Sequence, residues 1–375
     1  MKYRNLLFIF LLSVFASCSK DPELGPDTPP STFKVRIDNV IHETYFDGYP
    51  QGPSLFVPYL VMSGLPEGEK LLAFGGYYSP ENPNPDGSDY TFIHDCADDE
   101  LIQGWDWTQE LIYSAGWIDL PIPGKTYYFK GVVRTNKAVY YSNTVTINTD
   151  GLPGYTPGPQ DRVLPVVFHV MPRKDGTYPH PYFFDEMLAC ANRLYRNVWP
   201  LPGLADAGIR FVPATHAPDG TALSTPGIHY LDERYELDRD ISNEELRQWV
   251  GDNLWEMTEV INVWVSPFIN DDIVSEDTRT AGFTFLPYFA PEEMLQGCNT
   301  AVPGCFSGIF LNQEVVGNGY CNAGIAVFAH EAGHYLGLDH VFEEDWCDDT
   351  PQYDRARYRT CLLYTSPSPR DAHES

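Results

Sequence analysis

Short alternating runs of apolar and polar residues dominate the chain between residues 33 and 149. Glycine, proline, asparagine and aspartate interrupt these runs, and no stretch has the spacing of a long helix. The pattern predicts a β-sandwich, because a strand with one buried face alternates with a period of two residues. The clearest predicted strands are FKVRIDNV, SLFVPYLVM, KLLAFGGYY, KTYYFKGVVRT and AVYYSNTVTINT.

The pattern changes after residues 150–161, a stretch rich in glycine and proline that we predict to be a linker. Two runs with helical spacing follow, FFDEMLACANRLYRNVW and NEELRQWVGDNLWEM. They alternate with the strand-like runs VLPVVFHVM, GIRFVPA, VINVWVSPF, GFTFLPY and GIFLNQEVV. This alternation predicts an α/β (α+β) domain over residues 162–360. A last helix is predicted over residues 323–336, with Asn322 as its cap and Gly337 as its end.

The N-terminus has the pattern of an export signal. Two basic residues precede the apolar run 6–12, which is too short to span a membrane, and small residues lead to Cys18. We predict a signal peptide over residues 1–17 and, because VFASC resembles a lipobox, lipidation of Cys18. The alternative is an ordinary secretory signal with a chance cysteine. The Pro-rich residues 18–32 predict a tether, so the protein is expected to be lipid-anchored to a bacterial membrane, at the outer membrane or the cell surface.

Composition narrows the range of partners and ions. The chain has 52 acidic against 24 basic residues, a formal net charge of −28. Such a field repels phosphate backbones and no basic cluster offsets it locally, so nucleic acid is excluded as a predicted partner. The acidity leaves calcium as an additional candidate ion, although no EF-hand loop is visible. For the six cysteines other than Cys18 and Cys361, an oxidising compartment predicts disulfides.

The stretch VFAHEAGHYLGLDH carries the candidate chemistry. His330 and His334 are four residues apart, so on a helix they project from one face and can bind one zinc ion. Gly337 can adopt a left-handed turn that returns His340 to the same ion. Three imidazoles with an open fourth position are typical of a catalytic zinc site, in which Glu331 would act as general base. The alternative is a helix whose histidines form hydrogen bonds with neighbouring groups and bind no metal ion.

This spacing resembles the long zinc-binding motif of the metzincin peptidases. The following residues, HVFEEDWCDDTPQYD, are similar to the pappalysin (cytophagalysin) family, and VLPVVFHVM, TAGFTFLPY and SGIFLNQEVV resemble strands of its catalytic domain. The resemblance implies a zinc endopeptidase domain with the metal at the floor of a cleft. It also implies an exposed edge strand near residues 308–312, which would pair with an extended protein or peptide substrate; an internal strand is the alternative.

Two further resemblances concern the N-terminal domain and the C-terminal tail. PGKTYYFKGVVRTNKAVYYSNTVTI resembles the last strands of fibronectin type III (Ig-like) modules. CLLYTSPSPRD resembles the translation of a transposase-derived adapter from short-read library preparation, so residues 361–375 are expected to be non-native.

Metzincins have a methionine turn after the third histidine, and no Met follows Met294 here. We therefore expect the peptidase domain to lack its C-terminal part, and residues 18–360 to be poorly folded or weakly active.

The sequence thus predicts a surface-anchored zinc endopeptidase that hydrolyses peptide bonds of extracytoplasmic proteins or peptides. The alternative is an adhesin or binding lipoprotein, in which the sandwich functions and the zinc site is vestigial. Glu331 favours the enzyme, because a purely structural zinc site needs no base.

Overall fold

The computed structural model describes residues 32–44, 53–199, 206–234, 244–266, 281–285, 307–313, 316 and 323–338. These residues are mostly β-sheet, with few helices. The predicted lipid site Cys18, the predicted ligand His340 and the tail 361–375 lie outside them. None of the described helices is long and apolar enough to cross a membrane.

Two antiparallel sheets form the N-terminal half. In the first, β2 (Ser54–Ser63) pairs with β1 (Lys34–Thr44), β5 (Leu111–Ser114) and β6 (Ile118–Asp119). The second has the order β4 (Tyr90–Asp95), β3 (Leu71–Ser79), β7 (Thr126–Thr135) and β8 (Val139–Asn148). A one-turn helix, α1 (Glu100–Gln103), follows β4. All five predicted strands are present.

The two sheets share one hydrophobic core. Leu60 and Met62 of the first sheet and Phe74 and Phe129 of the second are buried in the same cluster. The sheets approach closely at Gly131, where an added Cβ would lie 2.4 Å from Leu60 Cδ1. The alternation of apolar and polar residues therefore predicted correctly that this half is built from strands with one face turned to a core.

A single larger sheet forms the frame of the C-terminal half. Its strands are β9 (Arg162–Val170), β10 (Ile209–Pro213), β11 (Ile228–Tyr230), β12 (Ile261–Ser266), β13 (Gly282–Phe285) and β14 (Gly308–Asn312). The described order is β10-β9-β12-β14-β13, and β11 also pairs with β9. All pairings are parallel except that between β13 and β14.

Helices cover both faces of this sheet. On one face, the ring of Phe168 in β9 contacts Phe184 of α2 (Pro181–Tyr195) and Phe328 of α4 (Ala323–Tyr335). On the other face, Trp249 of α3 (Glu244–Asn253) contacts Trp264 of β12. Strands covered on both sides need continuous apolar runs, which is why β9 and β12 could be predicted from the sequence.

The expectation of an edge strand at residues 308–312 is wrong. Strand β14 lies between β12 and β13, and all five of its residues are buried. The run GIFLN has no polar residue before Asn312 because both faces of the strand are covered. The last strand of the described sheet is β13, Gly282–Phe285.

The expectation of disulfides is wrong for the two cysteines that the structure describes. Cys96 and Cys190 are free thiols, and both are buried. Burial raises the pKa of each thiol to about 12. Each therefore stays protonated at neutral pH and behaves as a small apolar side chain of the interior.

The N-terminal half packs directly on helix α2. The hydroxyl of Tyr127 donates to Oε1 of Glu186 over 2.5 Å, and the hydroxyl of Tyr182 donates to Oδ1 of Asp89 over 2.7 Å. Both bonds are buried and join the two halves of the chain. Buried polar groups stabilise a contact only when each finds a partner of suitable geometry, so these bonds fix how the halves meet.

A buried cation completes this contact. The guanidinium of Arg193, on α2, donates to the carbonyl oxygens of Leu120 and, over 2.8 Å, of Pro121. Arg193 is 4% exposed, so these backbone acceptors replace water for it. Removing them would leave a charge in the interior, which is costly.

The pKa of Glu186 makes this contact sensitive to pH. Burial raises the pKa of its carboxyl from 4.5 to about 7. The folded protein therefore keeps the proton between these two pH values while the unfolded chain releases it. The stabilising contribution is complete below pH 4.5 and is lost as the pH rises to about 7.

We predict that Glu186→Gln gains stability relative to the unchanged protein as the pH rises. The difference in free energy of unfolding should change by about 2.5 kcal/mol between pH ~5 and pH ~8, since one pKa unit corresponds to about 1.4 kcal/mol. Urea unfolding followed by tryptophan fluorescence measures it. The control Glu67→Gln replaces an exposed glutamate and should follow the unchanged protein at both pH values. A constant difference for Glu186→Gln would contradict the prediction.

Candidate metal and catalytic site

Helix α4 ends as predicted, at a glycine. Gly337 has a φ of +95°, in the left-handed region that favours glycine. The N–H of Leu338 donates to the carbonyl of Gly333 over 3.0 Å, and the N–H of Gly337 donates to that of His334 over 2.9 Å. This pair of bonds is the Schellman motif, which satisfies the last carbonyls of the helix and turns the chain back.

The structure brings His330 and His334 together on one face of α4. Their Nε2 atoms are 3.1 Å apart, and the ring planes are perpendicular. Two nitrogen ligands of a tetrahedral zinc ion, each about 2.0–2.1 Å from the metal, would be roughly 3.4 Å apart. The pair therefore fits a shared zinc ion after a shift of a few tenths of an ångström.

The turn after the helix fixes the tautomer of His334. Its Nδ1 lies 2.6 Å from the carbonyl oxygen of Leu338. Because a carbonyl can only accept, Nδ1 carries the hydrogen and Nε2 carries the lone pair. Such a carbonyl partner behind a histidine is typical of metal sites, since it orients the ring and raises its basicity. Leu338 precedes the predicted ligand His340 by two residues.

Glu331 lies in the interior and is held by strand β13. It is 5% exposed. The hydroxyl of Thr284 is 2.8 Å from Glu331 Oε2 and 3.0 Å from the backbone oxygen of the same residue. A buried carboxylate needs hydrogen-bond donors in place of water, and Thr284 is one of them.

A glycine on β13 makes room for this carboxylate. A Cβ added to Gly282 would lie 2.9 Å from Glu331 Cγ and 2.9 Å from the backbone oxygen of Phe310. Sequence reasoning missed both Gly282 and Thr284. The available signal was their alternation with Phe283 and Phe285, which leaves one face of the strand small and the other aromatic.

Helix α2 supports α4 from the other side. The hydroxyl of Tyr195 donates to the backbone oxygen of Ala329 over 3.1 Å. The ring of Phe328 contacts the ring of Phe211 in β10. The two residues before the predicted ligand His330 are thus fixed by buried contacts, which constrain the position of the histidine.

A second histidine pair lies among the aromatic side chains of the sheet. Nδ1 of His169 is 2.9 Å from Nδ1 of His229, and Nε2 of His169 is 2.9 Å from Oδ1 of Asn262. Burial lowers the pKa of His169 to about 3. His169 is therefore neutral and hydrogen-bonded at both ring nitrogens, as expected of a structural histidine.

Of the predicted site residues, the structure places His330, His334 and Glu331 on one turn of α4. In the part of the chain that is described, no group of three or more His, Cys, Asp and Glu lies close enough to hold a metal ion. His330 and His334 fit a shared metal ion by the spacing of their Nε2 atoms, and His334 also by its tautomer. The role of all three histidines as ligands, His340 included, stays a prediction.

Residues 244–361 match the model of a peptidase family, Peptidase_M43, described as pregnancy-associated plasma protein-A. No curated protein matches the chain. Mature mirolysin of Tannerella forsythia, in complex with a cleaved peptide, is 16% identical over 52% of this chain and 70% of that one, with a TM-score of 0.37. A promirolysin mutant from the same organism is 17% identical over 54% and 64%, with a TM-score of 0.38.

A DUF3823 family protein from Bacteroides ovatus is 16% identical over 32% of this chain and 56% of that one, with a TM-score of 0.21. The chain thus spans less than two thirds of promirolysin and of this protein. Over residues 244–361, the match to the family model confirms the resemblance to the pappalysin metallopeptidases that the segment HVFEEDWCDDTPQYD indicates.

Proposed function

We propose that this metallopeptidase-like chain is a zinc-dependent endopeptidase, with His330, His334 and His340 as metal ligands and Glu331 as general base. The observation that carries the proposal is the convergence of two imidazole nitrogens, 3.1 Å apart, on the turn of α4 that also holds a buried carboxylate. The family match over residues 244–361 supports the same class of enzyme.

Bound zinc would supply the Lewis acidity that activates water and polarises the carbonyl of a peptide bond. Glu331 would accept a proton from that water and deliver it to the leaving amine. Its burial keeps bulk water away from the carboxylate, and the hydrogen bond from Thr284 keeps it oriented. His334 would be presented with its hydrogen on Nδ1, as its bond to Leu338 requires.

The substrate would be a protein or peptide bound in extended form along β13. This proposal is supported by the position of β13 as the last strand of the described sheet and by its contact with Glu331. An extended peptide can add to the outer strand of a sheet through backbone hydrogen bonds. The export pattern and Cys18 support substrates outside the cytoplasm, with the enzyme lipid-anchored and its N-terminal sheets forming a fibronectin type III-like or Ig-like module.

We predict that Glu331→Gln lowers the rate of peptide cleavage by at least about 100-fold, because it removes the general base but keeps the size of the side chain. A set of quenched fluorescent peptides measures the rate, assayed with the full chain, which here means the protein with its native continuation in place of residues 361–375. Glu259→Gln, at an exposed position before β12, is the matched control and should cleave normally. Equal cleavage by the Glu331 variant would refute the proposed role.

We predict that the full chain binds one equivalent of zinc, and that His330→Ala and His334→Ala each reduce this to well below one. Each substitution removes one nitrogen ligand from the predicted set of three. Metal content after dialysis, measured by inductively coupled plasma mass spectrometry, gives the stoichiometry. His216→Ala replaces an exposed histidine and should leave it unchanged. Full zinc content in all three variants would show that the metal lies elsewhere or binds without specificity.

A further inference from the structure

We propose that Thr284 is a positioning residue for the general base, so that one strand both receives the substrate and orients Glu331. The inference rests on the proposed function and extends it to a residue outside the zinc-binding motif. Its basis is the hydrogen bond from the Thr284 hydroxyl to Glu331 Oε2, which joins β13 to α4 across 47 residues of sequence.

The hydroxyl of Thr284 lies within hydrogen-bond distance of two oxygens of Glu331 and can donate to one of them at a time. It lies 2.8 Å from Glu331 Oε2 and 3.0 Å from the Glu331 backbone oxygen, and it has one hydrogen to donate. The shorter contact goes to the carboxylate, which as a charged acceptor forms the stronger bond. Threonine is branched at Cβ, so its side chain has few rotamers on a strand and the donor stays directed at the helix.

The same strand confines Glu331 on a second side. An added Cβ at Gly282 would approach Glu331 Oε1 to 3.1 Å and Cγ to 2.9 Å, so the carboxylate fits against the bare backbone there. Gly282 and Thr284 lie on one face of β13, and Glu331 is held between them.

The other face of β13 anchors the strand. The ring of Phe283 stacks on that of Phe310 with centroids 4.9 Å apart, and Phe285 contacts Phe310 edge to face. These contacts fix β13 against β14, so the Thr284 hydroxyl has a defined position relative to the helix. A peptide that pairs with β13 through its backbone would add to this rigidity and would leave the Thr284 side chain where it is.

Loss of the hydroxyl should affect the rate of the chemical step more than substrate binding. Without this donor, the buried carboxylate would spend less time in the orientation needed to accept a proton from water. Substrate binding through the backbone of β13 would be little changed. A reduced kcat with a steady KM identifies an interaction that acts in the transition state.

The experiment compares three variants of the full chain with the unchanged protein. Thr284→Val keeps the shape of the side chain and removes the donor, and Thr284→Ser keeps the donor. Thr258→Val is the matched control, because Thr258 donates to Glu256 over 3.0 Å at an exposed turn. Measured for each are kcat, KM, zinc content and melting temperature.

We expect Thr284→Val to lower kcat by about tenfold, the order given by one hydrogen bond to a charged group, with KM changed by less than about twofold. Thr284→Ser should restore most of kcat. The control should equal the unchanged protein, and all four proteins should hold one equivalent of zinc. An unchanged kcat in Thr284→Val would overturn the inference. So would an equal loss in the serine variant, since the hydroxyl would then not be the cause.

The outcome is separable from that of the proposed function. If the unchanged protein shows no cleavage that depends on Glu331, the proposed function fails. Crystal structures of the zinc-loaded unchanged protein and of Thr284→Val then test the positioning directly. The carboxylate of Glu331 is expected to leave its position in the variant. A carboxylate that keeps its place without the hydroxyl would overturn the inference whether or not the protein cleaves peptides.

Discussion

The burial of helix α4 is the constraint on which the site depends. The helix is enclosed by the sheet and by α2, so the polar groups it carries must find partners inside the protein. Glu331 is bonded by Thr284 of β13, and the ring of His334 donates to the carbonyl of Leu338 beyond the helix. The backbone oxygen of Ala329 accepts from α2. Three separate elements thus hold one helical turn, and burial makes each of these bonds necessary.

Helix α2 extends this frame into the N-terminal half. One side of α2 reaches α4 through Tyr195, and another meets the N-terminal sheets through Glu186 and Arg193. The same helix therefore contacts α4, which carries the proposed site, and takes part in the contact between the halves. Because burial raises the pKa of Glu186 to about 7, the strength of that contact varies as the pH rises from 4.5 to about 7. Through its contacts with α2, the N-terminal half therefore also supports the helix that carries the proposed site.

Local sequence patterns predicted where the strands and helices lie better than they predicted which of these elements are neighbours in the fold. Helix α4 was predictable because helical spacing and a terminal glycine mark its length, and Gly337 adopts the left-handed conformation expected of it. The order of β13 and β14 was not predictable, since a short run such as GIFLN has the same residues whether it lies at the edge of a sheet or inside it. The bond from Thr284 to Glu331 was also beyond reach, because no periodicity connects positions 47 residues apart. Free thiols at Cys96 and Cys190 likewise depend on which chain segments meet in the core.

The two histidine pairs show why spacing within a motif carries more chemical meaning than distance alone. Their closest nitrogens are 2.9 Å apart in the pair of His169 and His229, and 3.1 Å apart in the pair on α4. The amide oxygen of Asn262 can only accept, so His169 carries its hydrogen on Nε2 and accepts from His229 at Nδ1. Both nitrogens of that ring are bonded within the core, where the side chain is fully buried. His334 also has a partner at each ring nitrogen, but its spacing of four residues from His330 leaves both rings on the partly exposed face of one helix. A shared metal ion with an open position for water needs that exposure.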